Sequence, residues 1–187
     1  MKIKTIRDED YSSYKEVSML IAFPHCSFKC CTDIGRSISM CQNSPIARMP
    51  TREITPEEIF ERYNSNVITH SIVCGGLEPM DSFGDLFDLI SVFRTVYQCD
   101  DPFIIYTGYD KREISTEILL LSAFKNIIVK FGRYIPSQPS HFDALLGVVL
   151  ASPNQYAENI SFPVSSFPVR PQYYIVENEM RGDTIEQ

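Results

Sequence analysis

Apolar residues in this chain fall into short blocks with polar or glycine-rich stretches between them, and the spacing within each block predicts its element. Met19-Leu20-Ile21-Ala22-Phe23 is a short, unbroken apolar run, the pattern of a buried strand. Four further runs read the same way: 71–74, 102–106, 126–129 and 147–150. Helical spacing separates them. Thr55-Pro56-Glu57-Glu58 starts a helix, with threonine at the cap, proline in the first turn and glutamate three residues after the cap, and Ile59, Phe60 and Tyr63 form its apolar face. A second helix covers 85–97, with Leu86, Leu89, Ile90 and Phe93 in register, and a third covers 113–124. Lys2 to Arg7 alternates charged and apolar residues and predicts a short edge strand, followed by a polar turn over 8–14.

Strand and helix alternate about five times, which predicts an α/β fold with a parallel sheet and right-handed crossovers. A closed eight-unit barrel takes about 250 residues. At 187 residues the expectation is a partial, open parallel β/α barrel, one domain over 1–187. From 157 the alternation lapses. Phe162-Pro163, Phe167-Pro168 and Arg170-Pro171 predict an extended segment over 157–187 that ends in a polar tail.

Composition narrows the classes. An apolar fraction of 44% and a charged fraction of 22% are those of an ordinary globular protein. A net charge of −7 lacks the clustered basic residues of a nucleic-acid footprint. No apolar run approaches the roughly 20 residues that span a bilayer, and residues 1–10 lack a signal peptide's apolar core, so no membrane partner and a cytoplasmic location are expected. Six cysteines in such a chain are expected to be free, metal-bound or redox-active.

Three of the six, Cys26, Cys30 and Cys41, fall in two stretches of the loop that leaves the first apolar strand. This loop of about 27 residues has no periodicity, and loops of that length in compact domains are commonly functional. It carries Cys26-Ser27-Phe28-Lys29-Cys30 and, after nine residues, Met40-Cys41-Gln42-Asn43-Ser44-Pro45. Thiolates at the carboxyl end of a strand suit a soft metal, either an iron-sulfur cluster or zinc. Zinc wants four ligands, and His25 is the available fourth. Cys31 is an alternative to Cys30 as the second ligand. His25 is also placed to hydrogen-bond a ligand sulfur, whereas His70 and His141 are expected to face solvent.

Three later stretches also follow strands. In Cys74-Gly75-Gly76-Leu77-Glu78-Pro79 the glycines allow a backbone to approach a ligand, and a carboxylate suited to an ammonium follows. Cys74 reads as a small core residue. Tyr106-Thr107-Gly108-Tyr109 leaves the next strand, and Ser152-Pro153-Asn154-Gln155 leaves the last, with Asn and Gln able to donate and accept. Neither a Ser/His/Asp order nor a phosphate-binding glycine loop is present.

In this order the four stretches resemble radical S-adenosylmethionine enzymes, and among them the activating proteins of anaerobic ribonucleotide reductase. The resemblance runs from about residue 17 to 156. One departure is plain: the family spacing is C-x3-C-x2-C, whereas ten residues, Cys31 to Met40, separate Cys30 from Cys41. The resemblance implies a 4Fe-4S cluster on Cys26, Cys30 and Cys41, with one iron left open for S-adenosylmethionine. It places Gly75, Gly76, Glu78, Thr107, Tyr109, Ser152, Asn154, Gln155 and Met40 around that cofactor. It also implies reductive cleavage to a 5′-deoxyadenosyl radical, flavodoxin or ferredoxin as electron donor, and a glycyl radical enzyme as partner. Two rival readings are a radical enzyme acting on a peptide or small molecule and a non-catalytic zinc or cluster-binding module.

Overall fold

The structure is a computed structural model that describes residues 1–162. In chain order its strands are β1 (Lys2–Ile3), β2 (Thr5–Asp10), β3 (Ser18–Ala22), β4 (Arg52–Glu53), β5 (Ile72–Gly75), β6 (Phe103–Tyr106), β7 (Ile127–Phe131), β8 (His141–Asp143), β9 (Val148–Leu150) and β10 (Tyr156–Asn159). The helices are α1 (Lys29–Thr32), α2 (Ser44–Arg48), α3 (Pro56–Asn64), α4 (Phe83–Ser91) and α5 (Ser115–Leu121). A π-helical turn, Val92–Val96, extends α4.

Six strands form one sheet in the order β10-β7-β6-β5-β3-β2. The inner four, β3, β5, β6 and β7, run parallel, and an antiparallel strand closes each edge. Every inner strand is nearly or wholly apolar, as parallel strands covered on both sides must be. Met19, Ile21, Ile72, Cys74, Phe103, Ile105, Ile127 and Val129 point to one face and pack against Ile59, Leu86, Leu89, Phe93, Ile118 and Leu121 of the helical segments. Val73, Ile104 and Ile128 point to the other face, which meets Tyr14, Leu146 and Leu150. The helices of this core therefore lie against one face, and the β8–β9 hairpin segment covers part of the other.

The helix start read from Thr55 is present in full. Thr55 Oγ1 accepts from Glu58 N at 3.1 Å, and Glu58 Oε2 accepts from Thr55 N at 2.7 Å.

Four local expectations need correction. The predicted turn over 8–14 is strand as far as Asp10, because a register irregularity between Arg7 and Asp10 carries β2 on beside β3. The 147–150 run does not join the sheet; β9 pairs with β8, and β10 takes the edge beside β7. The extended segment expected from 157 therefore begins inside β10. The rest of it, 163–187, lies outside the described residues. His141 is half-buried on β8, with its Nδ1 lacking a hydrogen-bond partner, whereas His70 is exposed as expected. No helix among the described residues is long and apolar enough to cross a membrane.

Parallel order has one consequence for chemistry. The loops leaving Ala22, Gly75, Tyr106 and Phe131 all emerge at the same end of four neighbouring strands. In open α/β sheets that end is where ligands bind.

Candidate active site

A small pocket at this end is lined by Cys26, Ser27, Lys29, Cys30, Glu78, Gly108, Tyr109 and Arg133. Residues from all four loops thus meet in one place. Cys41 is the remaining member of the predicted thiol set, and it lies close enough for its charge to bear on both Cys26 and Cys30. Burial pushes the Cys26 thiol up to about 11 and the Cys30 thiol to about 12, so both are neutral near pH 7 in the metal-free protein. A metal that takes these sulfurs must displace their protons.

All six cysteines are free. Among the described residues, no group of three or more His, Cys, Asp and Glu is drawn together tightly enough to hold one metal ion. A cubane cluster sets a different demand, since its cysteine sulfurs sit on separate irons and stand farther apart than the ligands of a single ion. Three half-buried thiols on one long loop, two of them lining the pocket, suit such a group in donor chemistry.

Glu78 fastens two of the loops together. It is buried, its Oε1 accepts from Met80 N at 3.1 Å, and its Oε2 accepts from Gly108 N at 2.8 Å. The Thr107 hydroxyl also hydrogen-bonds it. Burial raises the Glu78 carboxyl above the usual carboxylate range, and the bond from Gly108 opposes that shift. Upstream, Gly76 has φ +72°, and a Cβ there would lie 2.6 Å from Ala22 Cβ, so only glycine lets this loop cross the end of β3. The Gly75 carbonyl accepts from Phe23 N at 3.0 Å, and the His25 carbonyl from Glu78 N at 2.9 Å. The cysteine loop therefore leaves β3 already bonded to the glycine loop.

A second tie runs through Asp81, which the sequence did not single out. Its Oδ2 accepts from Ser27 N at 2.5 Å and its Oδ1 from Tyr109 OH at 2.6 Å. The Tyr109 ring lies near two cations, with Lys29 Nζ 4.8 Å and Arg133 Cζ 5.5 Å from its centroid. Arg133 in turn forms a two-pronged pair with Glu113, at 2.7 and 2.8 Å, and reaches Asp33 of the cysteine loop at 3.4 Å.

Lys130 is the other residue that periodicity did not flag. It sits one residue before the end of β7, it is buried, and its Nζ donates to the Gly132 carbonyl at 2.9 Å. Burial pulls its ammonium down to about 8. A lysine within Ile-Ile-Val-Lys-Phe was the available signal, because a cation seldom enters a buried strand without a task or a partner.

The remaining predicted residues are placed differently. Ser152 and Gln155 are buried and hold the turn behind Arg133: Gln155 Oε1 accepts from Ala151 N and Ser152 N, and its Nε2 donates to the Gly132 carbonyl at 3.3 Å. Asn154 Nδ2 donates to the Arg133 carbonyl at 2.7 Å. Thr107 is buried, with its hydroxyl accepting from Tyr109 N at 3.0 Å. Met40 is 63% exposed and does not line the pocket, and the His25 side chain is exposed. So Cys26, Cys30, Glu78 and Tyr109 share the pocket, Cys41 lies within range of it, and the Ser152–Gln155 turn stands behind it through Gly132 and Arg133.

Compared with known proteins, the chain matches no family model, no curated protein and no solved structure.

Proposed function

We propose that this chain is a radical S-adenosylmethionine enzyme that holds a 4Fe-4S cluster on Cys26, Cys30 and Cys41 and installs a glycyl radical on a partner such as anaerobic ribonucleotide reductase. One observation carries the reading: two of the three thiols line the same pocket as Glu78 and the Gly108–Tyr109 turn, at the carboxyl end of parallel strands. A partial barrel of that enzyme class is part of the proposal, and the four parallel strands with helices on one face support it.

When bound, the cluster supplies one electron for reductive cleavage of S-adenosylmethionine to a 5′-deoxyadenosyl radical. Residues in and around the pocket then have tasks. Glu78 keeps accepting lone pairs free beside its two backbone bonds and takes an ammonium; Gly76 lets backbone come close; Lys29, Lys130 and Arg133 offer positive charge to a carboxylate. Met40, Thr107, Ser152, Asn154 and Gln155 belong to the proposed cofactor surroundings, the last three as supports of the Gly132–Arg133 turn. A reduced flavodoxin or ferredoxin is the proposed electron donor, in the cytoplasm, with neither nucleic acid nor membrane as partner.

The test is electron paramagnetic resonance on anaerobically reconstituted, reduced protein with and without S-adenosylmethionine, with 5′-deoxyadenosine assayed in the same tube. A cluster signal that changes with the cofactor, deoxyadenosine formation, and a glycyl radical in a co-occurring glycyl radical enzyme are expected. A cluster indifferent to the cofactor overturns the enzyme reading and leaves a binding module. Turnover without any glycyl radical turns the proposal toward a peptide or small-molecule substrate.

A further inference from the structure

We infer that Cys31 is a reserve ligand for the position Cys30 occupies, so that either thiol of this adjacent pair can anchor the iron. The inference rests on the cluster reading above, and it concerns residues that the reading treats as mutually exclusive.

Four observations carry it. The Cys31 side chain hydrogen-bonds that of Cys30, and Cys31 is the thiol that bears most strongly on its neighbour. Thiols in hydrogen-bond contact stand too close to occupy two corners of a cubane, where each cysteine takes its own iron. They therefore compete for one corner. Next, Cys31 is buried, at 6% exposure, yet it belongs to neither apolar core cluster. Ordinary core packing does not account for a cysteine buried beside a site and away from the core. Residues 32–40, directly after it, are all exposed, so Cys31 turns inward alone.

The backbone supplies the means of exchange. Cys30 and Cys31 sit on α1, a single turn, where the Phe28 carbonyl accepts from Cys31 N at 2.8 Å and Thr32 N at 3.0 Å. That turn starts from Phe28 in the left-handed region at φ 54°, a conformation an aromatic residue rarely adopts. The exchange inferred is a rotation of this one short turn that puts the Cys31 sulfur at the pocket in place of that of Cys30, with the strands unchanged. A site built this way keeps its metal when the Cys30 thiol is lost to modification.

The test uses the full chain, as wild type and as C26S, C41S, C30S, C31S and C30S/C31S, each reconstituted anaerobically with ferrous iron and sulfide. Iron and sulfide per chain and the thiolate-to-iron absorption band are read, and circular dichroism melts of the metal-free proteins check folding, with C31A standing in if C31S does not fold. C30S and C31S are each expected to load iron to within about twofold of wild type. The double variant should lose affinity by more than the about 10–100-fold that a lost outer-shell partner costs, as should C26S and C41S. A C30S protein as empty as C26S overturns the inference and leaves Cys30 the sole second ligand. A double variant that still loads normally overturns it as well, since a third group must then hold that corner. A wild type that takes up no iron and sulfide fails at an earlier step and sinks the cluster reading itself.

Discussion

Glu78 and Lys130 show how single residues here trade stability against chemistry. Both Glu78 oxygens accept backbone N–H groups, so Glu78→Gln puts an amide nitrogen against a donor on one side or the other. A buried donor left unpaired costs about 1–3 kcal/mol, and a lowered melting temperature of that size is expected in the metal-free protein. Lys130 gives the opposite sign. Its folded value of about 8 lies below the ordinary lysine value of 10.5, so between these the unfolded chain binds a proton that the folded chain does not. Stability of the metal-free protein therefore rises with pH through that window and is lower once pH falls below about 8. Lys130→Met removes the buried charge. It is expected to raise stability near pH 7 by about 1–3 kcal/mol and to flatten the rise in thermal melts between pH 8 and 10. A variant that melts higher yet forms no deoxyadenosine would assign the lysine to catalysis rather than to the fold.

At the scale of elements, what matters is how loops are tied to one another. Asp81 joins the cysteine loop, through Ser27 N, to Tyr109 on the loop after β6. Asp81→Ala frees both partners without opening the core, because the bonds lie at the half-exposed mouth. The expected result is about 10–100-fold weaker metal affinity in chelator competition with a nearly unchanged melt. An unchanged affinity would make this tie irrelevant to the site. The turn after β7 depends on Gly132, whose φ is +94° and whose added Cβ would lie 2.6 Å from the Asn154 carbonyl oxygen. Gly132→Ala should destabilise by about 1–3 kcal/mol in denaturant titration and displace Arg133 from the pocket. Helix α3 offers a control remote from the pocket, since Thr55→Ala removes one half of its capping box and should cost about 1 kcal/mol with metal affinity untouched.

For the whole molecule, the parallel order of β3, β5, β6 and β7 does most of the work. Four loops that are up to about a hundred residues apart in sequence open at one end of the sheet, so a site can form without any one loop carrying it alone. Loading the site should then stiffen the loops rather than the sheet. Hydrogen exchange on iron-loaded and metal-free protein is expected to differ over residues 24–51 and 76–81 and around 107–109 and 132–134, with the inner strands unchanged. Protection confined to the sheet would place the metal elsewhere.

The amino-acid sequence was enough to identify the inner strands, the three longer helices, the capping box at Thr55 and the turns that leave β3, β5 and β6, because each is written in local periodicity or in residues with few permitted conformations, such as Gly76. The pairing of those pieces was not local. The apolar run at Val148–Leu150 reads like the other strands, and only competition for the β7 edge gave that place to β10. Likewise, side-chain type suggested Ser152 and Gln155 as ligands, while packing gave their polar atoms to nearby backbone. Asp81 and Lys130 were invisible for the converse reason: a carboxylate in a turn and a lysine in a strand acquire meaning only from neighbours that the chain brings from 54 residues away or buries beside a thiol. Short-range sterics and periodicity settled the elements; the sheet order, a sum of long-range contacts, decided which of their residues meet.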